Sequence, residues 1–142
     1  MTEYFRRCTD AMNAGDWSTA LEWIRKCVVR EPANVLFRQV ARGVAMKRAD
    51  TRRFTIFDLE RQTKKINTAI STKDWFLVDS LAENGLAFYP RDLSLNYTQA
   101  VANYALKRRD IARFACETAL ASDREHSEAL RLWLRIKTDR YS

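Results

Sequence analysis

Only three glycines and two prolines punctuate the 142 residues, too few for the many tight turns of a β-sandwich or barrel. A single histidine and three cysteines without CxxC spacing make no recognisable zinc site. An odd number of scattered thiols fits a reducing compartment. No apolar run approaches the ~18 residues of a membrane span, and the opening Met-Thr-Glu-Tyr-Phe-Arg-Arg has no apolar stretch of signal-peptide length. A soluble, cytoplasmic chain with no membrane insertion is therefore expected. There is no GxGxxG, no GxxxxGKS/T, no HExxH and no DxDxDG loop. His126 stands in Arg-Glu-His-Ser-Glu with no nucleophile placed beside it by any motif, and reads as a turn residue. Neither catalysis nor a cofactor is expected.

The chain does carry 46% hydrophobic and 30% charged residues, with a net charge of +7 and a pI near 9.6. That is enough apolar material for the core of one domain. Apolar residues recur at spacings of three and four, and no segment keeps a period of two, so the class is all-α with about eight helices. Residues 2–13 align Phe5, Cys8 and Met12. Asp16 caps 17–30, whose stripe is Leu21, Ile24 and Val28, and Pro32 stops it. Asn34 caps 35–48, where Leu36, Phe37, Val40 and Val44 face inward. A helix from about residue 55 to 71 turns Leu59, Ile66 and Ile70 inward. Asp74 caps 75–89, Pro90 stops it, and Asp92 caps 93–108. Residues 111–122 and 127–138 complete the set.

An internal repeat organises these helices. Gly15-Asp16-Trp17, Ala20 and Pro32 return 58 residues later as Lys73-Asp74-Trp75, Val78 and Pro90. Beyond the prolines the match continues at a shift of 60, with Gln39 against Gln99 and Ala45-Met46-Lys47-Arg48 against Ala105-Leu106-Lys107-Arg108. A two-residue insertion after the proline is the simplest explanation of the change.

The run Tyr4, Cys8, Gly15-Asp16, Trp17, Ala20, Ile24, Cys27 and Pro32 resembles the tetratricopeptide repeat, a 34-residue helix–turn–helix module. Arg7 and Ala11 depart from it, where that family prefers Leu and Tyr. Asp74, Trp75, Val78, Gly85 and Pro90 carry a second copy; Tyr97, Ala100, Tyr104, Ala112 and Ala119-Leu120 suggest a third. The resemblance implies antiparallel helix-hairpin repeats stacked as an α-solenoid. It puts Cys8 and Cys27 at close helix crossings, and Trp17 and Trp75 in the packing between helices. Residues 49–72 are about ten short of a full repeat, so one helix is missing or truncated. The expected organisation is a hairpin plus capping helix over 1–48, a basic linker over 49–58, and two hairpins plus a capping helix over 59–142.

Such modules act as scaffolds or adaptors, and the resemblance implies a partner segment docked in a groove lined by the first helices of the hairpins. Candidate groove residues are Phe5, Thr9, Gln39, Gly43, Tyr97 and Tyr104. Phe5, Thr9, Gln39 and Gly43 occupy positions where some relatives clamp a carboxylate with Lys and Asn, so that mode is not expected. Positive charge is concentrated in Arg42, Lys47, Arg48, Arg52, Arg53, Arg61, Lys64 and Lys65, against three acidic residues in the same segment. This basic patch favours a partner protein with an acidic surface. Nucleic-acid binding through the same segment is the rival reading, although no RRM, KH or zinc-finger pattern accompanies it. Self-assembly is a third, because the first lobe alone falls short of the ~3 repeats an independent stack needs.

Overall fold

The computed structural model describes residues 2–49 and 56–139. These form eight helices: α1 (Thr2–Asn13), α2 (Trp17–Arg30), α3 (Val35–Ala49), α4 (Ile56–Ser71), α5 (Trp75–Leu86), α6 (Leu93–Ala105), α7 (Arg109–Ser122) and α8 (Ser127–Thr138). Within 2–49 and within 56–139 each helix packs mainly on the next in the chain, and α3 also touches α7. Of the expected 49–58 linker, residues 50–55 lie outside the described residues, and α4 already begins at Ile56.

Three helix junctions share one geometry. After α1, α4 and α6 the chain makes a left-handed residue, Gly15 (φ 73°), Lys73 (φ 57°) and Lys107 (φ 62°). Its N–H reaches three residues back and the next N–H five residues back. The pairs are Gly15→Met12 with Asp16→Ala11, Lys73→Ile70 with Asp74→Ala69, and Lys107→Tyr104 with Arg108→Asn103, all at 2.8–3.1 Å. This is the Schellman closure, which satisfies the last carbonyls of a helix. It ends α6 at Ala105, three residues before the expected 108, and lets α7 start at Arg109 rather than 111. Asp16 and Asp74 then cap α2 and α5 by accepting from the backbone N–H of Thr19 and Leu77.

Burial follows the same register. Cys8 and Ala11, Arg42 and Ala45, Ile66 and Ala69, and Ala100 and Asn103 are all buried at matching places on α1, α3, α4 and α6. The step is 34 residues from α1 to α3 and from α4 to α6. It is only 24 from α3 to α4, so two helices of one register follow each other among the described residues. The buried residues of α2, Ala20, Leu21, Ile24, Cys27 and Val28, return in α5 at a shift of 58 as Val78, Asp79, Ala82, Gly85 and Leu86, and α5 buries Glu83 in addition. That shift persists beyond the prolines. Asn34 accepts from the Phe37 N–H and Asp92 from the Leu95 N–H, and Arg38 and Asn96 donate to the carbonyls of Pro32 and Pro90. The expected insertion after the proline is therefore absent; the sequence matches at a shift of 60 are not structurally equivalent.

Cys8 and Cys27 are fully buried in one core with Leu21, Ile24, Phe37 and Val44, and Trp17 packs partly buried against it. Burial pushes the Cys8 thiol up to about 11, with a smaller contribution from Cys27, and it raises Cys27 too. Trp75 packs on a second core of Ile66, Val78, Leu86, Leu95 and Ala102. Two expected inward residues point outward instead. Leu36 and Ile70 are exposed, because the inward faces of α3 and α4 are carried by Phe37, Ala41 and Ala45 and by Ile66 and Ala69. α3 also buries three arginines, Arg38, Arg42 and Arg48.

Candidate functional site

Arg38 and Arg42, 1% and 2% exposed, are the largest fully buried side chains among the described residues. A lone guanidinium would not survive there; it needs countercharge and hydrogen bonds. Both come from α5. Arg38 forms a two-pronged pair with Asp79 at 2.7 and 2.9 Å and also donates to Glu83 at 3.0 Å. Arg42 forms a second fork on Glu83 at 3.0 and 3.1 Å and donates to Gln99 of α6 at 3.1 Å. Gln99 and Asn103 donate back to Glu83 and Asp79 at 2.8 and 2.9 Å, and Arg108 reaches Asp79 at 3.1 Å. Burial alone would raise the Glu83 carboxyl. The adjacent Arg42 and Arg38 charges and the Gln99 hydrogen bond reverse this and hold it down to about 2. The network joins α3 to α5 and α6, and so fixes the first three helices on the rest of the molecule.

Two clefts lie around this frame. One, of about 370 Å³, opens where α2, α5 and the start of α7 meet; Asp79, Glu83 and Arg38 reach its wall, with Arg25, Val29, Phe76 and Arg108 around it. The other, of about 330 Å³, runs between α6 and α8 and is lined by Tyr97, Val101 and Tyr104 facing Glu128, Arg131 and Arg135. Spacings of four and three put the three α6 residues on one face. The Tyr104 hydroxyl donates to Asp139 at 2.9 Å, and the Arg135 guanidinium lies 5.5 Å from its ring centroid. Burial raises the Tyr97 hydroxyl, with nearby Glu128 adding to the shift.

Of the groove residues expected from sequence, Tyr97 and Tyr104 thus share a cleft. Phe5 instead packs on Phe37 at 5.4 Å, and the Thr9 hydroxyl donates to the Phe5 carbonyl. Gln39 and Gly43 are exposed on α3, outside that cleft. The basic patch divides. Lys47, Arg61, Lys64 and Lys65 are exposed, whereas Arg42 and Arg48 are buried and do not belong to a solvated face. Arg42 serves Glu83, and Arg48 lies over the Phe88 ring at 5.1 Å. Arg52 and Arg53 lie outside the described residues. His126 caps α8, its Nδ1 accepting from the Ala129 N–H at 3.1 Å.

Sequence reasoning missed the ionic network. Its signal is present as Arg38 and Arg42, then Asp79 and Glu83, each pair four residues apart on a face that is otherwise apolar. Among the described residues no group of His, Cys, Asp and Glu could hold a metal ion, and no helix is long and apolar enough to cross a membrane. Comparison with protein-family models and with curated proteins finds no match for the chain.

Proposed function

We propose that this chain is a non-catalytic protein-interaction module of the tetratricopeptide kind, a small scaffold or adaptor that receives a partner segment between α6 and α8. One observation carries the reading: the buried pairs 8/11, 42/45, 66/69 and 100/103 and the left-handed junctions at 15, 73 and 107 repeat one hairpin design, with 34-residue steps. On this reading α1, α3, α4, α6 and α8 are first helices of hairpins, and the short step from α3 to α4 marks a hairpin that lost its second helix. First helices line the groove in such modules, and Tyr97, Val101 and Tyr104 give it an apolar, aromatic floor with arginines at its edge. Aromatic and arginine side chains are those that dominate binding energy at protein interfaces. Exposed Lys47, Arg61, Lys64 and Lys65 favour an acidic partner surface and speed its approach.

The test is capture from a native lysate, with and without nuclease, by the parent and by a Tyr97→Ala/Tyr104→Ala variant. Nuclease-resistant protein partners held by the parent and lost from the variant, at equal thermal stability, support the reading. Partners released by nuclease, or held equally by the variant, contradict it.

A further inference from the structure

The two most exposed large apolar side chains among the described residues, Val29 (80%) and Phe76 (65%), border the same cleft between α2 and α5. Nothing in the hairpin design asks for an aromatic at Phe76. The equivalent places after the other two left-handed junctions hold Ser18 and Asp110, both exposed. The cleft is also unevenly charged. Of its lining residues, Arg38 and Arg108 balance Asp79 and Glu83, two charges against two, with Arg42 buried behind the wall. Arg25 then leaves one positive charge in excess, because among the described residues its guanidinium donates to the neutral amide oxygen of Asn84, at 2.5 Å. The Arg108 guanidinium, 5.5 Å from the Phe76 ring centroid, brings positive charge directly beside the apolar rim. A volume of about 370 Å³ takes one or two side chains rather than a whole helix.

We propose that this cleft is a second docking site, distinct from the α6–α8 groove, which holds a short acidic–apolar segment of a partner protein. A side-chain carboxylate of that segment pairs with Arg25, and a neighbouring aliphatic side chain lies between Val29 and Phe76. Charge complementarity selects this occupant: an excess positive charge at Arg25 beside two bare apolar groups disfavours a basic or purely apolar segment.

The experiment titrates the full chain with acetyl-Leu-Glu-Leu-amide and with its Gln counterpart, reading the Arg Nε and Phe76 ring resonances by NMR. The Glu peptide should give saturable shifts at Arg25 and Phe76, be about tenfold tighter than the Gln peptide, and weaken as salt rises from roughly 50 to 300 mM. An Arg25→Gln variant, altered at a half-buried site outside the core, should melt like the parent yet bind both peptides alike. Three results would overturn the proposal: equal affinity of the two peptides for the parent, no saturable shift up to roughly 10 mM, or shifts confined to Tyr97 and Tyr104. So would concentration-dependent shifts at Val29 and Phe76 without peptide, which would make the occupant a second copy of the chain. Reading Tyr97 and Tyr104 in the same spectra separates failure of this site from failure of the groove.

Discussion

Replacing Glu83 with Gln removes one negative charge while keeping the size of the side chain. The carboxylate accepts one bond from Arg38, two from Arg42 and one from Gln99. After the change a single carboxylate, Asp79, faces three guanidiniums, two of them essentially inaccessible to water. Breaking one side of a buried ion pair costs about 3–5 kcal/mol, a large share of the ~5–15 kcal/mol that holds a domain together. At ~2–4 °C per kcal/mol for a chain of this size, the melting temperature should fall by roughly 6–20 °C. The pH dependence gives an independent check. The folded Glu83 carboxyl is lowered from 4.5 to about 2, so its contribution is full above pH ~4.5 and is lost as the pH falls towards 2. The parent should lose about 3 kcal/mol across that window through this group, and the Gln variant should not. The two denaturation midpoints therefore converge on acidification. A variant melting within about 1 °C of the parent at pH 7, with an unchanged acid profile, would show that these charges are hydrated rather than locked together.

Further outcomes follow from the turns and the core. Lys73→Gly and Lys107→Gly should each stabilise the protein by about 0.5–1 kcal/mol in chemical denaturation, because both lysines hold positive φ, while Gly15→Ala should cost about 1 kcal/mol. Cys27→Leu should cost ~1–3 kcal/mol by overpacking a fully buried contact, and an unchanged melting curve would place Cys27 outside the crossing. Burial raises all three thiols, Cys116 to about 12. At pH 8 a thiol reagent should therefore leave the native protein untouched and titrate three groups once denaturant is added; fast labelling of the folded chain would contradict the burial.

Local chemistry made most of the fold legible in the sequence. The caps Asp16, Asn34, Asp74 and Asp92 and the stop at Pro32 place helix ends within a residue or two, since each acts on its own backbone, whereas the helix before Pro90 ends at Leu86, three residues short of the expected 89. Lys107 shows where that reasoning stops. A lysine in left-handed conformation carries no composition signal, so α6 ends three residues before the periodicity alone would end it. Leu36 misleads for a related reason, because the inward face of α3 is partly arginine, and Ile70 because α4 turns Ile66 and Ala69 inward instead. The partners of Arg38 and Arg42 lie some 40 residues away on α5, and such a pairing is fixed by tertiary packing rather than by neighbouring residues. The candidate groove was half legible. Tyr97 and Tyr104 share one face of α6 by helical spacing alone, whereas Arg131 and Arg135 join them only through the way α8 packs. The basic segment was overcounted, because sequence gives charge without saying which cations folding draws inside.

On the proposed function a protein partner occupies the space between α6 and α8. The most direct measurement places a photo-crosslinking amino acid at Val101, inside that cleft, and at the exposed Arg113 on α7, and irradiates native lysate. Discrete protein adducts are expected from position 101, absent from position 113 and competed away by excess parent protein. The same adducts from both positions, or none from position 101, would contradict it.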